Sequence, residues 1–187
     1  MSKQQKSVAP AAKAASAGQD EQVLGQGKFL KLVRRGKWEY VERVNSTGVV
    51  GIIATTGDGR LVLVDQWRAP LGKRCIELPA GLVGDEDSSE GHAQSAAREL
   101  EEETGFRATW MEPLVEGASS AGLSGETVAL YRAGGLERVN GGGGTGSEQI
   151  VVHTVPLAEV PAFLRSRARE GCVVDLKVWA AMWLVGR

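Results

Sequence analysis

Two cysteines and two histidines are all that this 187-residue chain offers toward a zinc site. Cys75, Cys172, His92 and His153 fall at no spacing that zinc uses, and two cysteines cannot build a disulfide scaffold. Free thiols in a reducing cytoplasm are expected rather than one bridge. Net charge is lacking too: 22 Lys+Arg against 23 Asp+Glu leave −1. Such a chain has no general attraction for nucleic acid or an anionic membrane, so phosphate binding must come from local arrangement. No apolar run approaches the ~18 residues of a membrane span. Glycine, by contrast, is abundant at 25 residues, and it clusters. Hydrophobic residues at 42% and charged residues at 24% are globular values. The length suits one domain plus tails or a small subdomain.

Residues 1–22 are rich in Ala, Ser, Gln and Lys and have little to bury, so they read as a disordered tail. They lack arginine and an apolar stretch, which argues against a secretory signal or transit peptide. Residues 29–33 and 38–44 read as two strands around a Gly36-Lys37 turn. Val49 to Ala54 reads as a buried strand, Gly57-Asp58-Gly59 as a hairpin turn, and 61–67 as its returning strand. Further strands are expected at 75–78, 109–115, 127–131 and 150–155. The clearest helix is 88–104, and two closing helices are expected at 157–169 and 174–184. Trp179 and Trp183 are four apart, as a buried stripe would be, and Trp110 is expected in core or interface. Cys75 reads as a buried thiol, His92 as a helix-surface histidine and His153 as a strand histidine.

The informative segment is Gly81 to Phe106. At about 100° per residue, Glu103 falls near +40° from Glu99 and Glu102 near −60°. Three carboxylates thus share about 100° of arc beside a small apolar face of Ala93, Ala96, Ala97 and Leu100. Glu101 points away. Two carboxylates about 5 Å apart repel by roughly 3 kcal/mol at an effective dielectric near 20. Helix stability alone would favour Lys at some of these positions. A divalent cation removes the conflict, and oxygen-only ligands point to Mg²⁺ or Mn²⁺. A bare acidic run would otherwise read as a solvated face. Here Arg98 can reach the cluster and hold a carboxylate in a bidentate pair.

These residues resemble a family. Glu90, seven intervening residues, then Arg98-Glu99-Leu100-Glu101-Glu102-Glu103-Thr104-Gly105-Phe106 match the Nudix box, G-x5-E-x7-R-E-U-x-E-E-x-G-U. Gly84 satisfies the spacing to Glu90. Leu78-Pro79-Ala80-Gly81, however, looks like the family segment whose last glycine opens the box, which puts three extra residues before Glu90. The run from Val64 to Gly81, Ser119 to Ser124, and Ser147 to Val152 resemble the ADP-sugar pyrophosphatases within that superfamily. With Gly27-Lys28-Phe29 and Trp38-Glu39, the resemblance covers roughly residues 27–185.

The resemblance implies a Nudix fold of α/β (α+β) class. A mixed sheet would lie between helices, behind an antiparallel β subdomain at 23–47 that serves dimerisation, with the hydrolase domain at 48–187. It implies Mg²⁺-dependent hydrolysis of ADP-ribose to AMP and ribose 5-phosphate, or of another nucleoside-diphosphate sugar such as GDP-mannose or ADP-glucose. A non-catalytic nucleotide-binding module is the other class. Glu99, Glu102, Glu103 and the Ala80 carbonyl are implied as metal ligands, with Glu90 and Arg98 as supports. Arg68 is implied to contact the diphosphate or ribose, against an ordinary ion pair. Glu77 is implied to bond a sugar or adenine edge, against a strand carboxylate paired with an arginine. Gly122 and Leu123 lie in the substrate loop. The base is implied outside the box, in a mobile loop over 134–147 whose Gly141–Gly144 permits closing. Glu148 is the candidate and Glu126 the second; Glu102 stands close to the reacting centre. Phe29 and Trp38 read alone as strand core, and by resemblance as aromatics that stack on adenine across a homodimer. No nucleic-acid or membrane partner is expected.

Overall fold

The computed structural model describes residues 21–84, 89–145 and 149–185. The chain opens with a three-stranded antiparallel sheet of β1 (Glu21–Gln26), β2 (Leu30–Arg35) and β3 (Trp38–Arg43). β1 was not expected, and it begins two residues inside the segment read as tail. Its polar, glycine-bearing sequence lacks the apolar alternation that announces a strand. Residues 1–20 lie outside the described residues.

Two four-stranded mixed sheets form the body, rather than one. The first has the order β7-β4-β10-β9, from β4 (Gly48–Ala54), β7 (Ala80–Val83), β9 (Trp110–Ala118) and β10 (Thr127–Gly134). The second has the order β12-β5-β6-β13, from β5 (Arg60–Arg68), β6 (Lys73–Glu77), β12 (Val151–Pro156) and β13 (Val173–Val174). A small pair joins β8 (Phe106–Arg107) to β11 (Glu137–Arg138). The helices are α1 (His92–Thr104), α2 (Val160–Arg169) and α3 (Leu176–Val185).

Alternation along β4 and β5 places the core on both sides of these sheets. Val50, Ile52, Ala54 and Val62 pack with Ala96 and Leu100 of α1. Ile53, Leu61 and Leu63 pack with Val160 and Leu164 of α2 and with Val178 and Ala181 of α3. The order is therefore helix, sheets, helices, which is the layered class expected. Burying Leu100 or Leu164 in full contributes roughly 1.5–3 kcal/mol each.

Three expectations need correction. β4 and β5 do not form a hairpin ladder; they meet only at the Thr55–Leu61 bridge and then enter different sheets. The Gly-Asp-Gly turn reverses the chain, with Gly59 N–H on Thr56 O at 3.0 Å, but a reversal does not dictate pairing. Strands buried on both faces carry no alternation to reveal their partner. Val174 is not in the last helix; it pairs with Ile76 as a parallel edge strand. Trp179 and Trp183 are not buried: they are 42% and 59% exposed, while Val178 and Ala181 face the core. That helix reads LKVWAAMWLV, with no polar face to tell inside from outside.

Candidate active site

α1 begins at His92, four residues later than the expected start at 88, which itself lies outside the described residues. It ends at Gly105, whose φ of 73° is a left-handed stop. Arg98 sits among three carboxylates. Its Nε and Nη2 donate to Glu90 Oε1 and Oε2, both at 3.3 Å. Its Nη1 lies 3.0 Å from Glu99 Oε1 and 3.1 Å from Glu102 Oε2. Burial disfavours the Arg98 charge, but Glu90, Glu99 and Glu102 outweigh it and hold its pKa above the ordinary value. Glu90 also accepts from Ser95 Oγ at 2.8 Å. Glu101 turns outward to a fork with Arg107, at 2.9 Å on both oxygens.

Glu99 and Glu103 converge on the backbone of β7. The buried Glu103 accepts the Ala80 N–H at 3.0 Å. A Cβ at Gly81 would stand 1.9 Å from Glu99 Cδ, so only glycine lets that carboxylate lie against the strand. Glu90, Glu99 and Glu102 thus surround a single guanidinium, with Glu103 one turn beyond Glu99. Among the described residues, no three His, Cys, Asp or Glu side chains converge on one point as a finished ligand set. The donors themselves suit a hard cation: carboxylate oxygens gathered beside the half-buried backbone of Ala80.

Arg68 and Glu77 pair with each other, Nε to Oε1 and Nη2 to Oε2, both at 2.7 Å. Glu77 is buried and raises the Arg68 pKa against the cost of burial. Of the alternatives left open by the sequence, the pair is the one seen.

A cavity of about 660 Å³ lies between the first sheet and residues 119–127. Phe29, Leu123 and Glu126 line it, together with Arg43, Ser46 and Thr47, which the sequence reading missed. Gly48 and Val49 also line it, and their neighbour Val50 pairs with Gly81 beside the carboxylates. The cavity-lining Val49 and the Gly81 partner Val50 are thus adjacent along β4. Glu126 is held by Arg43 Nε at 2.5 Å and by Ser119 Oγ at 3.2 Å. Leu123 O accepts the Val41 N–H at 2.9 Å, which docks β3 on this loop. Gly122 and Trp38 are not in the cavity lining; Trp38 stands at the β2–β3 hairpin, 61% exposed. His92 closes on Gly48, where a Cβ would lie 2.9 Å from its Nε2. Glu148 lies outside the described residues. Gly143 and Gly144, in the loop expected to close, donate to α1 carbonyls.

The fold and this carboxylate-rich helix define a class. Residues 45–172 match the NUDIX domain, and the chain belongs to the Nudix family. It is 40% identical over 98 residues to the ADP-ribose pyrophosphatase of Mycobacterium tuberculosis, covering 52% of this chain and 46% of that one. It is 35% identical over 98 residues to the ADP-ribose pyrophosphatase of Bacillus subtilis, covering 52% and 51%. It is 38% identical over 110 residues to the methanol dehydrogenase activator of Bacillus methanolicus, covering 59% and 58%. The chain spans about half the length of the curated relatives it matches. A crystal structure of an ADP compounds hydrolase superposes with TM-score 0.66 at 18% identity, over 89% of each chain, and shares the fold. Among the described residues no helix is long and apolar enough to cross a membrane.

Proposed function

We propose that this chain is a Mg²⁺-dependent pyrophosphohydrolase that cleaves ADP-ribose to AMP and ribose 5-phosphate. One observation carries the reading: three carboxylates stand around the Arg98 guanidinium and Glu103 lies beside them, against the glycine-cleared backbone at Ala80–Gly81. Glu99, Glu102, Glu103 and the Ala80 carbonyl would hold the metal, with Mn²⁺ as a possible substitute. Bound there, a divalent cation neutralises phosphoryl oxygens and makes water a better nucleophile. Glu90 and Arg98 hold the helix face in place. The cavity of about 660 Å³ is of a size to take a nucleoside, with Phe29 and Leu123 as its apolar walls. Arg68, kept charged by Glu77, faces the diphosphate.

The candidate base remains Glu148. Glu126 is the weaker choice, because its carboxylate is committed to Arg43 and Ser119. The sheet at 23–47 exposes Phe29, Leu30, Leu32 and Trp38, so it is the surface by which two copies would join. Trp38 would then serve the neighbour's site. This reading also favours a cytoplasmic enzyme with two free thiols.

The test is AMP release from a panel of ADP-ribose, ADP-glucose and GDP-mannose with Mg²⁺. ADP-ribose should be cleaved fastest, and only with metal. No diphosphate cleavage of any member would overturn the assignment, and preference for GDP-mannose would move the substrate.

A further inference from the structure

A helix leaves its last carbonyls without intrahelical partners. In α1 the Glu101 carbonyl takes the Gly105 N–H at 2.8 Å. The next two, those of Glu102 and Glu103, are taken from far along the chain. Gly144 N–H reaches Glu102 O at 3.1 Å and Gly143 N–H reaches Glu103 O at 2.8 Å. Val139 N–H bonds Gly105 O at 2.9 Å, and Asn140 Oδ1 accepts the Gly142 N–H at 2.7 Å. This is backbone on backbone. A Cβ at Gly142 would stand 2.4 Å from the Thr104 carbonyl carbon and 2.7 Å from Gly105 N. One at Gly105 would stand 2.3 Å from Asn140 O. Gly142, Gly143 and Gly144 have φ of 63°, 109° and 81°, a region that side chains disfavour. Gly141 needs none of this: its surroundings are open.

We infer that the glycine turn at 139–145 is a positioning element for the carboxylates of Glu102 and Glu103. The turn fixes the backbone of the two residues whose side chains would ligate metal. Gly143 also receives the Ile150 N–H on its own carbonyl at 3.3 Å, so one peptide joins α1 to the chain entering β12. Metal affinity and the placement of that strand entry are thereby coupled through Gly143. The inference rests on the reading of α1 as the metal-binding helix.

Direct Mn²⁺ binding, followed by the resonance of the free ion, tests it on the full chain. Gly142→Ala should weaken Mn²⁺ binding about 10–100-fold, the range for supports just outside a metal's ligands. Gly141→Ala should bind as the unsubstituted protein does. Gly59→Ala has a φ of 77° in open space, so it strains a distant turn without touching α1. It should lose stability and keep Mn²⁺ affinity. Gly142→Ala behaving like Gly59→Ala would overturn the inference. Should Gly142→Ala not fold, amide exchange of the unsubstituted protein decides: Mg²⁺ should slow residues 139–145 together with 101–105. Slowing of the helix end alone would overturn the inference. Absence of Mn²⁺ binding in the unsubstituted protein would overturn the reading of α1, and the inference with it.

Discussion

Two charged clusters, one where α1 meets β7 and one where β5 and β6 meet α2, are built differently. On the α1 side, Glu90, Glu99 and Glu102 share one guanidinium, Arg98, and Glu103 stands one turn beyond Glu99 against the Ala80 N–H. On the α2 side, the buried Asp65 takes Arg74 Nε at 2.6 Å and Arg167 Nη2 at 2.8 Å, and Glu170 also pairs with Arg167. Two acids there meet two bases. Buried or half-buried charge is costly unless compensated, so the second cluster is complete in itself. The first crowds carboxylates on one helix face, three of them on a single guanidinium, and that crowding is what a bound cation would relieve.

Removing one carboxylate from the α1 cluster should have the largest effect. Glu103→Gln should lower kcat by at least about 100-fold with the circular dichroism unchanged, since the amide oxygen can still accept the Ala80 N–H. Wild-type turnover would erase the distinction between the clusters. In the complete cluster the effect should be on stability. Asp65→Ala leaves two guanidinium groups facing each other and should cost about 3–5 kcal/mol in urea unfolding. A loss below about 1 kcal/mol would mean that the clasp is solvated.

His153 sharpens the comparison by pH. Its Nε2 lies 3.8 Å from Asp65 Oδ2, and burial holds its pKa below the ordinary 6.5 despite that carboxylate. The folded state therefore favours neutral His153, while the unfolded chain takes up a proton near 6.5. Its contribution is full above that pH and is lost as pH falls toward the lower folded value. Unfolding free energy should decline from pH 7 to 5, and His153→Gln should flatten the decline. The smallest effect concerns the thiols. Burial, then Glu77, pushes Cys75 up to about 12, so at pH 8 a thiol reagent should modify Cys172 first.

The acidic face was legible because its parts lie on one helix, where residue spacing is geometry. The outward Glu101 followed from the same angles, whereas Glu90 stands before the start of α1 and its fork with Arg98 did not. The Asp65 clasp was not legible, since its members come from β5, β6 and α2 and no local pattern links them. The glycines at 141–144 were read as freedom to move, because sequence shows what a glycine permits and not what stands beside it. The aromatic pair on α3 misled for a related reason: an all-apolar helix leaves its buried face to the tertiary contacts. Nor could composition show that Glu126 would be tied to Arg43 across 83 positions of chain.

The most direct test of cation binding on α1 is a calorimetric titration of Mn²⁺ into the unsubstituted chain and into the Glu99→Gln, Glu103→Gln double variant. Binding on this face predicts saturable uptake in the first and its loss in the second, with both folded. Equal binding in the two would place the cation elsewhere and contradict the account.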